Sequence, residues 1–225
     1  RYSPGEMRKE DSNMKLSPSN AFNLNRFNSN DNYETGLSAS IGFDYEIKKQ
    51  SKKIDFSVSQ IINQKENKKM PTSMGLDEKL SDLVGRAKYS INDDFNLSYN
   101  FAVDQNYKEF NYNEISANTK FNSLELNLDY LQEKKHIGNN EYLKSKINYK
   151  IGNDTNLGYE FKRNLITNSS EFYNLSYEYF NDCLKAGLVF RREFYNDSEI
   201  EAENSLMFKI TLTSFGGIDS PKFNQ

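Results

Sequence analysis

Tryptophan is absent, and histidine and cysteine occur once each in 225 residues. The lone histidine, His136, stands beside Lys134-Lys135 in a polar stretch. This rules out a histidine-based triad or a multi-histidine metal site within the chain. The lone cysteine, Cys183, cannot close a disulfide inside the chain. Nowhere do about 18 apolar residues run together, so no helix can span a membrane. No glycine-rich phosphate loop is present. The formal net charge is only -3, without the clustered basic footprint of a nucleic-acid binder. Acidic pairs such as Asp93-Asp94 fall where turns are expected. The expectations are no enzyme, no cofactor, no metal and no nucleic-acid partner.

What is present is an unusual balance. Hydrophobic residues make up 36% of the chain, yet 14% are aromatic, with 15 Tyr and 16 Phe. That aromatic content argues against disorder. A sheet with one apolar face gives both values at once. The period supports it: Leu37, Ala39, Ile41, Phe43, Tyr45 and Ile47 are apolar, and Gly36, Ser38, Ser40, Gly42, Asp44, Glu46 and Lys48 between and beside them are not. Strict alternation is a strand with one greasy side.

The pattern recurs ten more times. The apolar sets are Ile54, Phe56 and Val58; Leu83, Ala87, Tyr89 and Ile91, with Val84 out of phase; Phe95 to Val103; and a fifth strand over Phe110–Phe121. In that fifth strand Phe110 and Tyr112 differ in phase from Ile115, Ala117 and Phe121, and a bulge near Asn113–Glu114 would bring Tyr112 onto the apolar face. Leu124 to Tyr130, Leu143 to Ile151, Leu157 to Phe161, Tyr173 to Tyr179, Leu184 to Phe190 and Leu206 to Leu212 complete the set. The fold class is all-β, an antiparallel up-and-down meander of about 11 strands. No 3.6-residue period and no second apolar surface are visible to cover it.

Connections alternate in length. Short polar turns stand at Asn92-Asp93-Asp94, Asn122-Ser123, Gly152-Asn153-Asp154 and Asn181-Asp182, and longer segments at Asn63–Ser81, Gln132–Asn140, Asn164–Ser170 and Glu193–Asn204. Asn, Asp and Gly suit tight hairpins because they tolerate positive φ. In a meander, tight turns then share one edge and long loops the other. That asymmetry, with strands apolar on one side and polar on the other, is the mark of an outer-membrane β-barrel. Lipid offers no hydrogen-bond partners, so the backbone must pair strand to strand around a ring. Residues 1–32 are then expected as an external loop, 33–215 as the C-terminal portion of a larger transmembrane barrel, and 216–225 as a periplasmic tail. Further strands are expected upstream of Arg1. Tyr and Phe would form the aromatic girdles. A soluble antiparallel sandwich or β-sheet binding module is the alternative. It would require Leu37, Phe43, Leu97, Leu126 and Leu188 to pack inward.

Three segments resemble the outer-membrane lipopolysaccharide-assembly (LptD) family. Asn20–Asp31, NAFNLNRFNSND, is similar to the family's Phe-x-x-Asn-Arg-Phe segment, with Ser29 where the family usually has Gly. Gly75–Arg86, GLDEKLSDLVGR, is similar to its Ser-Asp-x-Val-Gly run. Asp182-Cys183-Leu184, Phe190 to Tyr195 and Phe208 to Leu212 resemble its cysteine-containing strand, aromatic-Arg-Arg segment and final strand.

The resemblance implies a barrel of about 26 strands that assembles lipopolysaccharide (LPS) into the outer leaflet of the cell outer membrane. It implies as partners LPS, a lipoprotein plug in the lumen, outer-membrane lipid, and periplasmic LPS-bridge proteins reached through an amino-terminal domain outside this sequence. A porin-like diffusion channel shares the strand pattern and is separated only by these segments and Cys183. The resemblance also implies a disulfide from Cys183 to that amino-terminal domain. Where many members have two adjacent cysteines, the first is Asp182 here, so at most one such bridge forms; the plainer account of Cys183 is a small free side chain. It further implies a lateral opening along the last strand, whose lumen face would carry Ser205, Met207, Lys209, Thr211 and Thr213. An ordinary wet barrel wall explains these equally. Arg191, Arg192 and Lys185 suit lipid phosphates, though a solvated rim is the simpler reading.

Overall fold

The alternating segments form antiparallel strands joined in sequence order. The computed structural model describes residues 15–23, 26, 36–66, 68, 70, 72–135, 138–194, 203–212, 216–219 and 223–224. The eleven expected strands are β1 (Ser38–Lys49), β2 (Lys52–Asn63), β3 (Leu83–Ile91), β4 (Phe95–Val103), β5 (Phe110–Phe121), β6 (Leu124–Glu133), β7 (Asn140–Ile151), β8 (Thr155–Asn164), β9 (Ser169–Phe180), β10 (Leu184–Glu193) and β11 (Asn204–Leu212). Two short strands follow, β12 (Gly216–Asp219) and β13 (Phe223–Asn224). The strand order is β1 through β12 in sequence, with β13 also pairing β11. Among the described residues the one helical turn is 3-10, at Thr72–Met74.

The tight turns after β3, β5 and β7 have their expected cause, and the turn after β1, not singled out in the sequence, shares it through Gln50. Gln50, Asn92, Asn122 and Gly152 have φ of 49°, 49°, 51° and 61°, in the turns after β1, β3, β5 and β7. The left-handed conformation matches the twist of a hairpin. After β9, the Asn181 side chain closes the turn by accepting from the backbone N–H of Cys183 and Leu184, at 3.0 and 2.7 Å. On the other edge the chain passes from β2 to β3, β4 to β5, β6 to β7 and β10 to β11. The link from β8 to β9 is only Leu165–Asn168, shorter than expected, because Asn164 Oδ1 caps it by accepting from Ile166 and Thr167.

By internal contacts the chain divides into two units. Residues 1–90, 98–115 and 131–140 form the first, and residues 91–97, 116–130 and 141–225 the second.

In the first unit part of the polar face of the sheet is covered. Ala21 O accepts from Ser40 Oγ at 2.7 Å and from Arg26 Nε at 2.9 Å. Phe22 lies over Gly42, where an added Cβ would stand 2.5 Å from the ring. The segment 15–23 thus crosses the polar side of β1. The 64–82 connection folds in beside it rather than standing away. Leu80 bridges Ile62, and Ser81 Oγ accepts from Ile61 N–H at 2.8 Å. Leu16, Ala21, Ile61, Met70, Met74, Leu76 and Val84 are buried together, with Ala102 packed on them. A second apolar surface therefore exists, contrary to the expectation from the sequence. Its parts are a strap, a loop and two out-of-phase strand residues, none of which carries a period. Burying a side chain the size of Ile61 stabilises by roughly 1.5–3 kcal/mol.

In the second unit the polar faces of β7, β8 and β9 are tied by charge. Lys144 Nζ meets Glu160 at 2.9 Å, Lys162 meets Glu171 at 2.7 Å, and Lys162 also sits over the Tyr142 ring. A bulge at Glu171, where Lys162 pairs Phe172 and Arg163 pairs Ser170, aims that carboxylate at Lys162.

Candidate functional site

The alternation leaves an apolar face that nothing among the described residues covers. Leu37 is 71% exposed, Phe43 57%, Leu188 41% and Leu97 37%, and Leu126 is half-buried. Ile41, Ile47, Phe121, Leu175, Leu206 and Phe208 are exposed as well. An apolar surface of this extent marks contact with another apolar phase. In the second unit it carries an aromatic group: Tyr173 packs on Tyr159, Phe161 and Phe194 with ring centroids 6.2, 6.5 and 5.3 Å apart. No helix of the described residues is long and apolar enough to cross a membrane.

The polar face of the first unit holds a cavity of about 380 Å³ beneath the 15–23 segment. Lys15, Asp82, Glu114, Glu133 and Lys135 line it, with Leu16 and Met74. Lys15 Nζ stands 3.2 Å from the centroid of the Tyr112 ring. Burial lowers its pKa below the usual lysine value, opposed by the charges of Glu133 and Glu114. Burial pushes the Asp82 carboxyl above its ordinary range, against Lys135 and a 2.9 Å hydrogen bond donated by Asn111.

Tyr112 is not on the apolar face, as the sequence pattern implied. Its hydroxyl donates to Glu114 at 2.8 Å, so the two share a side, as residues two apart in a strand must. Asn118 bonds Asn127 across that polar side, whereas Asn113 reaches Tyr99 and Gln132, on the other. Tyr112 thus lies on the side of Glu114 and the Lys15 ammonium.

The residues singled out in the sequence fall in two places. Cys183 is exposed and free, directly after the Asn181-Asp182 turn and before β10. Ser205, Met207, Lys209 and Thr211 lie along β11, in register with Arg191, Val189, Gly187 and Lys185 of β10. Ser205 is buried, Met207 and Thr211 are half-buried and Lys209 is exposed; Thr213 lies outside the described residues, as does His136. The opposite edge of β11 is paired, Lys209 with Asp219 and Thr211 with Gly217. Arg191 forms a 2.5 Å ion pair with Glu193, and Arg192 stacks on Phe194. The structure does not bring Cys183 and the β11 residues into one site. The cavity escaped the sequence reading, although Val84 out of phase and the Ile61-Ile62 doublet were its traces.

A family model described as LPS transport system D (LptD) matches residues 7–165 of the 225. No curated protein matches the chain.

Proposed function

Because the chain belongs to the LptD family, and so takes part in LPS transport and assembly at the outer membrane, we propose that it forms a later portion of the barrel of the LPS translocon. The exposed apolar face meets lipid, and the polar face lines a wet interior. Backbone pairing along the meander satisfies the groups that hydrocarbon cannot. The role is mechanical and makes or breaks no bond: the wall guides LPS, a lipoprotein plug occupies the interior, and periplasmic bridge proteins deliver lipid through an amino-terminal domain. Cys183, exposed beside a tight turn, is proposed to cross-link that domain. The side of β11 bearing Ser205, Met207, Lys209, Thr211 and Thr213 is proposed to border the lateral exit. A diffusion pore is the weaker reading, since a strap and a loop cover polar wall in the first unit.

The observation that carries this is the uncovered apolar face on strands whose tight turns fall on one edge. A photo-activatable cross-linker placed singly at Asn148, Ser176 or Thr211, in cells making LPS, tests it. Polar-face positions are expected to yield LPS adducts. Adducts confined to outward positions such as Leu97 and Leu188 would defeat the interior route.

A further inference from the structure

We propose that the cavity beneath the 15–23 segment is a binding site for a small primary ammonium. Its lining sets the carboxylates of Asp82, Glu114 and Glu133 against the ammoniums of Lys15 and Lys135, one negative charge in excess. Glu114 is satisfied, accepting from Asn100 and from Tyr112 at 2.8 Å each. Glu133 is not, and Asp82 is only in part, its Oδ2 accepting from Asn111 at 2.9 Å. Glu133 is 3% exposed, and its Oε1 has no hydrogen-bond partner. Asp82 is 6% exposed; its Oδ1 also lacks a hydrogen bond, and Lys135 Nζ stands 3.6 Å away. A buried carboxylate oxygen left unpaired is costly. A cation with N–H donors supplies both what the charge and what the lone pairs lack.

The chain itself shows how such a ligand sits. Lys15 brings one ammonium onto the face of Tyr112, in the field of Glu133 and Glu114. An aromatic face backed by carboxylates is how an ammonium is held without water. The cavity volume leaves room for a second small ammonium beside it. A metal ion fits less well: among the described residues no three acidic, histidine or cysteine side chains converge to hold one. The inference does not depend on the transport reading, because it rests on side chains of the first unit alone.

The test is calorimetric titration of the full protein in detergent micelles. The probes are ethanolammonium chloride, glycerophosphoethanolamine and, as a control without N–H donors, choline chloride. Saturable binding of ethanolammonium is expected, with choline at least about tenfold weaker. Glu133→Gln keeps the shape and is expected to weaken binding at least about tenfold, while its heat-induced gel shift stays cooperative. Lys15→Met removes the resident rival ammonium and is expected to tighten binding. Glycerophosphoethanolamine binding as well as ethanolammonium assigns the site to a lipid headgroup; its exclusion assigns it to a free amine. Choline binding equally well, an unaffected Glu133→Gln, or no binding to either the wild type or Lys15→Met overturns the proposal.

Discussion

Leu188 offers the most direct test of which solvent the apolar face meets. It pairs with Tyr177 on one side and Phe208 on the other, and it is 41% exposed. It stands four residues beyond Leu184, at the tight-turn end of β10. At about 3.4 Å per residue and a tilt of about 45°, that is about 10 Å along the membrane normal. An apolar band about 25 Å tall puts Leu188 close to its midplane. Leu188→Arg should therefore cost about 2–4 kcal/mol. Leu212 faces the same way but pairs with Leu184, at the rim, so Leu212→Arg should cost no more than about 1 kcal/mol. Val189→Arg, on the opposite face against Ser176 and Met207, should also stay within about 1 kcal/mol, because the interior is wet. The assay is urea unfolding in phospholipid vesicles, followed by the heat-dependent gel shift. With slopes of about 1–3 kcal/mol per molar urea, Leu188→Arg should lower the midpoint by about 0.7 M or more. A cost under about 0.5 kcal/mol at Leu188, the value for an exposed side chain in water, would refute the membrane placement. So would equal costs at all three positions.

Two further outcomes follow from local geometry. Gly42→Ala places a methyl group 2.5 Å from the Phe22 ring and 2.8 Å from the Val58 carbonyl oxygen, so Phe22 should be pushed off β1 and the β1–β2 pairing strained at a cost of about 1–3 kcal/mol, the first read as faster tryptic cleavage at Lys15. Asp104 accepts from the N–H groups of Lys108 and Glu109 at 2.7 and 3.1 Å, and the Glu109 bond leads in holding its carboxyl below the usual value. A depressed folded pKa means that its support for the Asp104–Glu109 loop is complete above the ordinary carboxylate pKa of about 4, and is lost as pH falls through the lowered value. Asp104→Asn should weaken amide protection at Lys108 and Glu109 at neutral pH, and the difference from wild type should shrink in strong acid.

The strands were legible because each puts most of its apolar residues on one side for ten or so positions, an alternation of period two that a strand imposes on any sheet with one apolar face. Three of the tight turns were legible because their left-handed residues are Asn92, Asn122 and Gly152, whereas the turn after β1 uses Gln50, which carries no turn signal. The covered patch on the polar face was not. Leu16, Ala21, Met70, Met74 and Leu76 come from stretches with no period, and only folding brings them to Ile61 and Val84. Those two did leave a trace. Val84 broke the alternation of its strand, and Ile61 stands next to Ile62, so one of them had to leave the outer face. Tyr112 was misplaced for a related reason: aromatic residues were counted as apolar, while its hydroxyl and its ring serve a carboxylate and an ammonium. Cys183 is exposed and free in this chain, and its cross-link to an amino-terminal domain stands as a proposal.

The ordering of strands has a kinetic consequence. Each strand from β1 to β11 finds its neighbour across the shortest link available, so the entropy lost in closing any one pairing is small. Hairpins of this kind close in about 1–10 μs, far faster than their residues are synthesised. Within β1 to β11, registry can therefore be fixed pair by pair along the chain, each strand pairing with its neighbour in sequence.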